Sequence, residues 1–423
     1  MNKLALLFAV VLTVGWPQTA QAGFTPGVGE GVGGCEPDGI QASGAVYRIC
    51  MPEAQGVEWN GDLVIYCHGY VEPEGPVDVP EDQFCFGGVC IYEIFTDFGY
   101  AFAASSYSVH GLAVPEGIAD TLDLIDIFTA IHGEPNRVYL VGFSEGAQIA
   151  TLIAEMRPDL VTAIVAACGP IGDWRRQIEF IGDFRLLFDV FFPGLIPGDA
   201  VDVPEEVADN WDELWEETIR PVLLLPRNRW RVKQLVQYTE APEHPFSYVI
   251  TVNETVHDLL WFNIVGAKDA VEKLEGVPFG NQKTFYDGGA LPGLVNALVE
   301  RREADGAALE NIASTYETTG RLEVPSVILH TLLDNQVPFW HVPLYQLKVI
   351  RKGTPEMATY MPIPAFGHCA FSFGEVAAAF SIAVFRATGE LPDFASFFEN
   401  QADKADFNAA VKQFQFDHLK RVP

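Results

Sequence analysis

Short apolar runs bounded by glycine or proline alternate along this chain with longer stretches whose apolar positions recur at helical spacing. Leu63 to Cys67, Ala101 to Ser106, Val138 to Val141 and Val161 to Ala167 are uninterrupted apolar or small-residue runs. Runs without a polar alternation belong to strands buried on both faces, as in a parallel sheet. Between them, Leu122, Ile125, Ile127, Phe128 and Ile131 mark a largely helical pattern over 118–131, closed by Gly133 and Pro135. Ala147, Ile149, Ala150, Leu152, Ile153 and Ala154 mark another, stopped by Arg157 and Pro158. This rhythm predicts an α/β fold with a mostly parallel central sheet and helices on both faces.

From 171 to 322 the rhythm lapses into a segment rich in Trp, Phe, Leu and acidic residues, which reads as helices at unequal spacing. Strand-and-helix order resumes with Val324 to His330, Tyr345 to Ile350, Met357 to Ile363 and Val376 to Arg386. The expected organisation is therefore a core over 23–170 and 323–393, interrupted by a helical cap over 171–322. In the tail, 394–423, Phe407, Val411 and Phe414 lie at i, i+4 and i+7, and the helix they imply is expected to pack on the core.

Lys3, the apolar run Leu4 to Val14 and the small-residue site Ala20-Gln21-Ala22 read as a signal peptide over 1–22, so the product is expected to be exported to a periplasmic or extracellular space. No later stretch reaches the roughly 18 apolar residues needed to span a bilayer. The formal charge of −31 argues against nucleic acid or anionic lipid as partner and favours neutral or cationic ones. Gly29 to Gly34 matches a dinucleotide fingerprint, but it follows the cleavage site rather than a strand and reads as leader, so no cofactor is expected.

Seven cysteines fit an oxidising compartment. Cys35 with Cys50 and Cys85 with Cys90 are the local pairs; whether two of Cys67, Cys168 and Cys369 join stays open. No C-x-x-C spacing and no His-Glu-x-x-His helix supports a metal site.

The chemistry lies in Val138-Tyr-Leu-Val-Gly-Phe-Ser144-Glu-Gly146, a strand that breaks on Gly-x-Ser-x-Gly into a helix. Such a turn exposes the serine hydroxyl above the sheet, and Gly142 and Gly146 allow close chain approach. A serine needs a histidine to take its proton and a carboxylate to orient that histidine. Asp334, just after the strand ending at His330, is the carboxylate of choice, with Asp173 as fallback. His368 follows the last strand on a loop; His341 falls on a helix and His418 in the charged tail, so both read as surface or packing residues. Oxyanion donors are expected from the backbone N–H groups of Glu145 and Tyr70, with His68 buttressing the latter's loop.

His-Gly-Tyr at 68–70, Gly-Phe-Ser-Glu-Gly at 142–146, Asp334-Asn-Gln-Val-Pro and Gly367-His-Cys, in this order, resemble the α/β-hydrolase superfamily across about 45–390. The resemblance implies Ser144 as nucleophile, His368 as base and Asp334 as acid, and Tyr70 and Glu145 as the oxyanion hole. Two departures are the long interval from Ser144 to Asp334, which the cap explains, and an acid at 145.

Three functions follow as expectations. The first is a secreted serine hydrolase of small to medium carboxylic esters, with Phe184, Phe188, Phe191, Phe192, Trp211, Trp215, Trp261 and Phe262 either lining an acyl pocket or holding the cap together. The second is a serine exopeptidase, in which Glu145 or an acidic cap residue binds a cationic amino terminus. The third is a binding module with an idle triad. Oligomeric state is not legible from the sequence.

Overall fold

The computed structural model describes residues 32–86 and 89–419. The segment 1–22 that reads as a signal peptide and most of the glycine-rich leader lie outside them. Eight strands form the main sheet: β1 Gly39–Ile40, β2 Val46–Cys50, β3 Asp62–Cys67, β4 Ala101–Ser105, β5 Arg137–Phe143, β6 Ala163–Ala167, β7 Ser326–Leu333 and β8 Ala358–Phe366. Their spatial order is β1-β2-β4-β3-β5-β6-β7-β8, antiparallel from β1 to β4 and parallel from there on. A separate ribbon pairs Cys85–Phe86 with Val89–Cys90.

The apolar runs are strands because both faces of the sheet are covered. Val64, Tyr66, Val141, Val165 and Leu329 pack on one side, with Phe380 and Ile382 of a helix near the C terminus. Leu63, Ile65, Leu140 and Ile164, one step along each strand, pack on the other. That second face is covered by α1 Val114–His132 and α2 Glu145–Met156. The period-2 alternation of a strand thus divides an all-apolar run between two cores.

Between β6 and β7 the chain is helical: α3 Trp174–Phe191 opens the insertion and α4 His257–Lys273 is its other long helix. Phe184, Phe188, Trp211, Trp215, Leu235 and Leu259 form a core of the insertion's own. After β7 come α5 His341–Lys352, then β8, α6 Phe373–Thr388 and α7 Gln401–Leu419. The α7 stripe packs against α6, with Phe407 and Val411 buried. No helix of the described residues is long and apolar enough to cross a membrane.

Three disulfides are formed, Cys35–Cys50, Cys85–Cys90 and Cys168–Cys369, which closes the question of the third pair. Cys67 is free and buried, and burial pushes its thiol up to about 12, far from a reactive thiolate.

Candidate active site

β5 delivers the chain to Ser144, whose φ of 54° and ψ of −121° lie where L residues are strained. Only glycine fits on either side. A Cβ at Gly142 would stand 2.1 Å from the Gly146 carbonyl oxygen, and one at Gly146 would stand 2.0 Å from that of Cys67. The Ser144 N–H donates to the Ala167 carbonyl at 2.9 Å, tying the turn to the end of β6. α2 begins at the next residue, so free N–H groups and the positive end of a helix dipole lie beside the serine.

Three side chains from distant segments meet here. The His368 Nε2 is 2.9 Å from Ser144 Oγ, and its Nδ1 is 2.9 and 3.0 Å from the two oxygens of Asp334. Asp334 is fully buried on the turn after β7, where its Oδ1 accepts the N–H groups of Gln336 at 3.0 Å and Val337 at 2.8 Å. Those bonds compensate a buried carboxylate that would otherwise be costly. His330 closes the turn from beneath, its Nε2–H donating to the Val337 carbonyl at 2.8 Å, and burial lowers its pKa, which keeps it neutral. Thr331 donates to the Gly367 carbonyl at 2.8 Å, linking the acid's strand to the histidine's loop.

The loop at His68-Gly69-Tyr70 runs against Ser144, since a Cβ at Gly69 would be 3.2 Å from that of Ser144. Gln83 clamps it: its Oε1 accepts the Gly69 N–H at 2.7 Å and its Nε2 donates to the Tyr70 carbonyl at 3.0 Å. His68 stacks on Tyr107 with ring centroids 3.9 Å apart, and burial brings its pKa down to about 4, so it is a neutral prop for the loop.

Glu145 turns its side chain inward. Its Oε1 accepts the Ala113 N–H at 3.0 Å, its Oε2 is buried without a partner, and burial pushes the carboxyl up to about 8, Lys273 opposing only in part. Lys273 pairs with Asp269 at 2.8 Å, and Asp269 also accepts the Leu112 N–H at 2.7 Å.

The remaining acids and histidines have other work. Asp173 caps α3, accepting the Arg176 N–H at 2.9 Å. His341 is buried, accepts the Gly172 N–H on Nδ1 at 3.0 Å and faces Gln177 Oε1 with Nε2, and burial holds it well below its usual pKa. Cys168, His368 and Cys369 place a nitrogen and two sulfurs within 4.8 Å of one another, but both sulfurs are bound in the disulfide, so neither is a thiolate for a metal.

Ser144 opens on a cleft walled by Leu112, Trp174, Ile178, Phe262 and Phe279 with Glu145 and Asp269 among them. Of the eight aromatic residues weighed as an acyl pocket, Phe262 lines the cleft among the described residues. Phe184, Phe188, Phe191, Phe192, Trp211 and Trp215 are buried in the insertion's core, and Trp261 packs edge-on against Tyr70 and Phe262. Gln83 and the cleft residues of α3 were not foreseen; no motif surrounds them, and only their contacts with distant segments reveal them.

No family model and no curated protein matches the sequence. Among solved structures, the chain is similar to feruloyl esterase B from Aspergillus oryzae, at 12% identity and TM-score 0.48, over 84% of this chain and 81% of that one. It is also similar to Candida antarctica lipase A, at 16% identity and TM-score 0.44, over 84% and 77%. To the acylaminoacyl peptidase of Pyrococcus horikoshii it shows 12% identity and TM-score 0.36, over 77% of this chain, and it spans 36% of that enzyme's length. The order of its strands, with Ser144 on the turn between the fifth of them and the helix that follows, gives this chain the α/β-hydrolase fold.

Proposed function

We propose that the chain is a serine hydrolase that cleaves carboxylic esters through an acyl-enzyme. The observation that carries this reading is the unbroken relay from Asp334 through His368 to Ser144 Oγ at the mouth of an apolar cleft. In it, His368 Nε2 accepts the Ser144 proton as Oγ bonds to the ester carbonyl carbon. Asp334 holds the proton on Nδ1, fixing the tautomer that leaves Nε2 free, and stabilises the imidazolium. The imidazolium then protonates the departing alkoxide as the carbonyl–oxygen bond breaks. A water, deprotonated by the same nitrogen, then attacks the acyl carbon; as the bond from that carbon to Oγ breaks, the imidazolium returns the proton to Ser144 Oγ and the carboxylic acid leaves.

The negative oxygen of each tetrahedral intermediate needs fixed donors. The Glu145 N–H, at the start of α2, is one. For the second, the Gly69 N–H is already given to Gln83, which favours the Tyr70 N–H.

The walls of the cleft favour a neutral substrate. For an exopeptidase, Glu145 would have to anchor a cationic amine. Its Oε1 is committed to Ala113 and its carboxyl stays largely protonated at neutral pH, while Asp269 is already paired with Lys273. These facts favour the ester reading. We take 171–322 as the cap that supplies most of the cleft wall, 23–170 and 323–393 as the core, and 394–423 as a tail bound to it. The three disulfides support an oxidising compartment, in keeping with a cleaved leader over 1–22.

The deciding experiment is turnover of nitrophenyl esters of graded acyl length beside aminoacyl anilides, with fluorophosphonate labelling of Ser144. Ester turnover exceeding that of anilides, with labelling, is expected. Faster anilide turnover at matched concentration overturns the ester assignment, and an unreactive Ser144 overturns catalysis itself.

A further inference from the structure

The third disulfide sits against the proposed base. Cys369 directly follows His368, and Cys168 directly follows Ala167, whose carbonyl holds the Ser144 N–H at 2.9 Å. The two cysteines are 201 positions apart in sequence, yet their Cα atoms are 5.4 Å apart, and a nitrogen of the His368 ring lies within 4.8 Å of both sulfurs. One covalent bond therefore joins the residue after the histidine to the residue after the strand end that anchors the nucleophile's turn.

The histidine loop needs such a tie. It leaves β8, the outermost strand of the sheet, through a register irregularity between Ile363 and Phe366 and a Gly367 at φ 111°. On the side before His368, the Gly367 N–H donates to Leu333 at 3.1 Å and the Gly367 carbonyl accepts from Thr331. On the side after it, the Phe371 N–H donates to Cys369 at 2.8 Å, a bond internal to the loop. The bond to Cys168 connects this second side to the interior strands. Cys168 itself is fixed, its N–H donating to the Leu329 carbonyl at 2.8 Å on β7, the strand that leads to Asp334. Both cysteines hold a φ of 51°, a conformation that a free loop would readily relax.

We propose that the Cys168–Cys369 disulfide is a positioning element of the active site, holding the His368 imidazole in line with Ser144 and Asp334. The proposal rests on the reading of Ser144 and His368 as nucleophile and base. A relay whose two bonds are both near 2.9 Å tolerates little displacement: a shift of about 1 Å costs on the order of 100-fold in rate. Opening the bond takes two electrons and two protons, supplied in the test by a phosphine and water, and yields two thiols and the phosphine oxide.

The test compares the oxidised full-length protein, the double variant Cys168→Ala/Cys369→Ala, and the control Cys35→Ala/Cys50→Ala, whose bond lies at the opposite edge of the sheet. Steady-state kinetics on a nitrophenyl ester and the rate of fluorophosphonate labelling are read together with circular dichroism. In the Cys168/Cys369 variant kcat and the labelling rate are expected to fall roughly 10- to 100-fold with KM nearly unchanged and the spectrum retained, while the control keeps wild-type kinetics. Should the variant not fold, graded phosphine treatment of the wild type, with bond opening mapped by mass, gives the same comparison. Wild-type kcat with the bond open overturns the proposal. Activity lost only in step with the fold also overturns it, because the bond would then be general scaffolding. Ser144→Ala in the oxidised protein separates the two claims: if it stays active the nucleophile assignment fails, whereas if it is dead while the disulfide variant is fully active only the positioning role fails.

Discussion

Ser144 Oγ and His368 Nε2, 224 positions apart in sequence, lie 2.9 Å apart with the serine on a strained turn and the imidazole on a loop. Neither residue could reach the other without β5 and β8 running parallel in one sheet, so that both strands release the chain at the same edge. If this contact is the reactive one, Ser144→Ala should lower kcat by about 10⁶ while leaving the melting temperature close to wild type. Steady-state turnover of a nitrophenyl ester measures it. A loss smaller than tenfold would mean that another group attacks the ester.

Gln83 touches the backbone on both sides of the Gly69–Tyr70 peptide unit and therefore sets the direction in which the Tyr70 N–H points. Gln83→Ala releases that clamp and leaves the Gly69 N–H without its acceptor. Because the oxyanion forms only in the transition state, the loss should fall on kcat, by roughly 10² to 10³, with KM changed little. Gln83→Glu, which keeps an acceptor for Gly69 but loses the donor to Tyr70, should lie between. Equal kinetics for all three proteins would remove Gln83 from the site.

What the sequence made legible, and what it did not, divides by range. The Ser144 turn was readable because every part of it, strand, glycines and helix, is local and sterically forced. The α1 helix begins at Val114 rather than 118, with Pro115 in its first turn, where proline is favoured. β2 had no apolar signature because Arg48 interrupts it, and Arg48 is tolerated there by ion pairs to Asp38 and Glu81 from outside the strand. The partner of Cys168 and the inward packing of the insertion's aromatics depend on which distant segments meet, and nothing in a local pattern encodes that.

Asp258 on α4 ties the insertion to the acid's turn, its Oδ2 accepting the side-chain amides of both Asn335 and Gln336 at 2.8 Å. These two residues directly follow Asp334. Asp258→Ala strands two amide donors and frees the turn, so kcat should drop on the order of tenfold, with a stability loss of about 1.5 to 3 kcal/mol for bonds to a charged acceptor. Asp258→Asn retains one acceptor oxygen and should lose less of both. Urea unfolding and steady-state kinetics on the pair decide it: wild-type values for Asp258→Ala would show that the insertion does not support the acid.

Glu145 should make both stability and rate depend on pH. The folded protein holds its proton up to about pH 8, whereas the unfolded chain releases it near the ordinary glutamate value of 4.5. Between those limits the native state binds one proton more than the unfolded state, so stability falls as pH rises, by at most about 1.4 kcal/mol per pH unit, and levels off above the folded pKa. Glu145→Gln keeps an oxygen for the Ala113 N–H and has no proton to lose. The variant should therefore match the wild type near pH 4.5 and gain on it steadily up to about pH 8, by a few kcal/mol in urea midpoints converted to free energy. Catalysis should follow. Once ionised, the wild-type carboxylate sets a negative charge one residue from Ser144 and opposes the developing oxyanion, so kcat/KM should decline above about pH 8 in the wild type and persist in Glu145→Gln. A stability difference that does not vary with pH, or identical alkaline limbs, would show that this carboxyl is ionised throughout the range and that its burial has been offset by a partner.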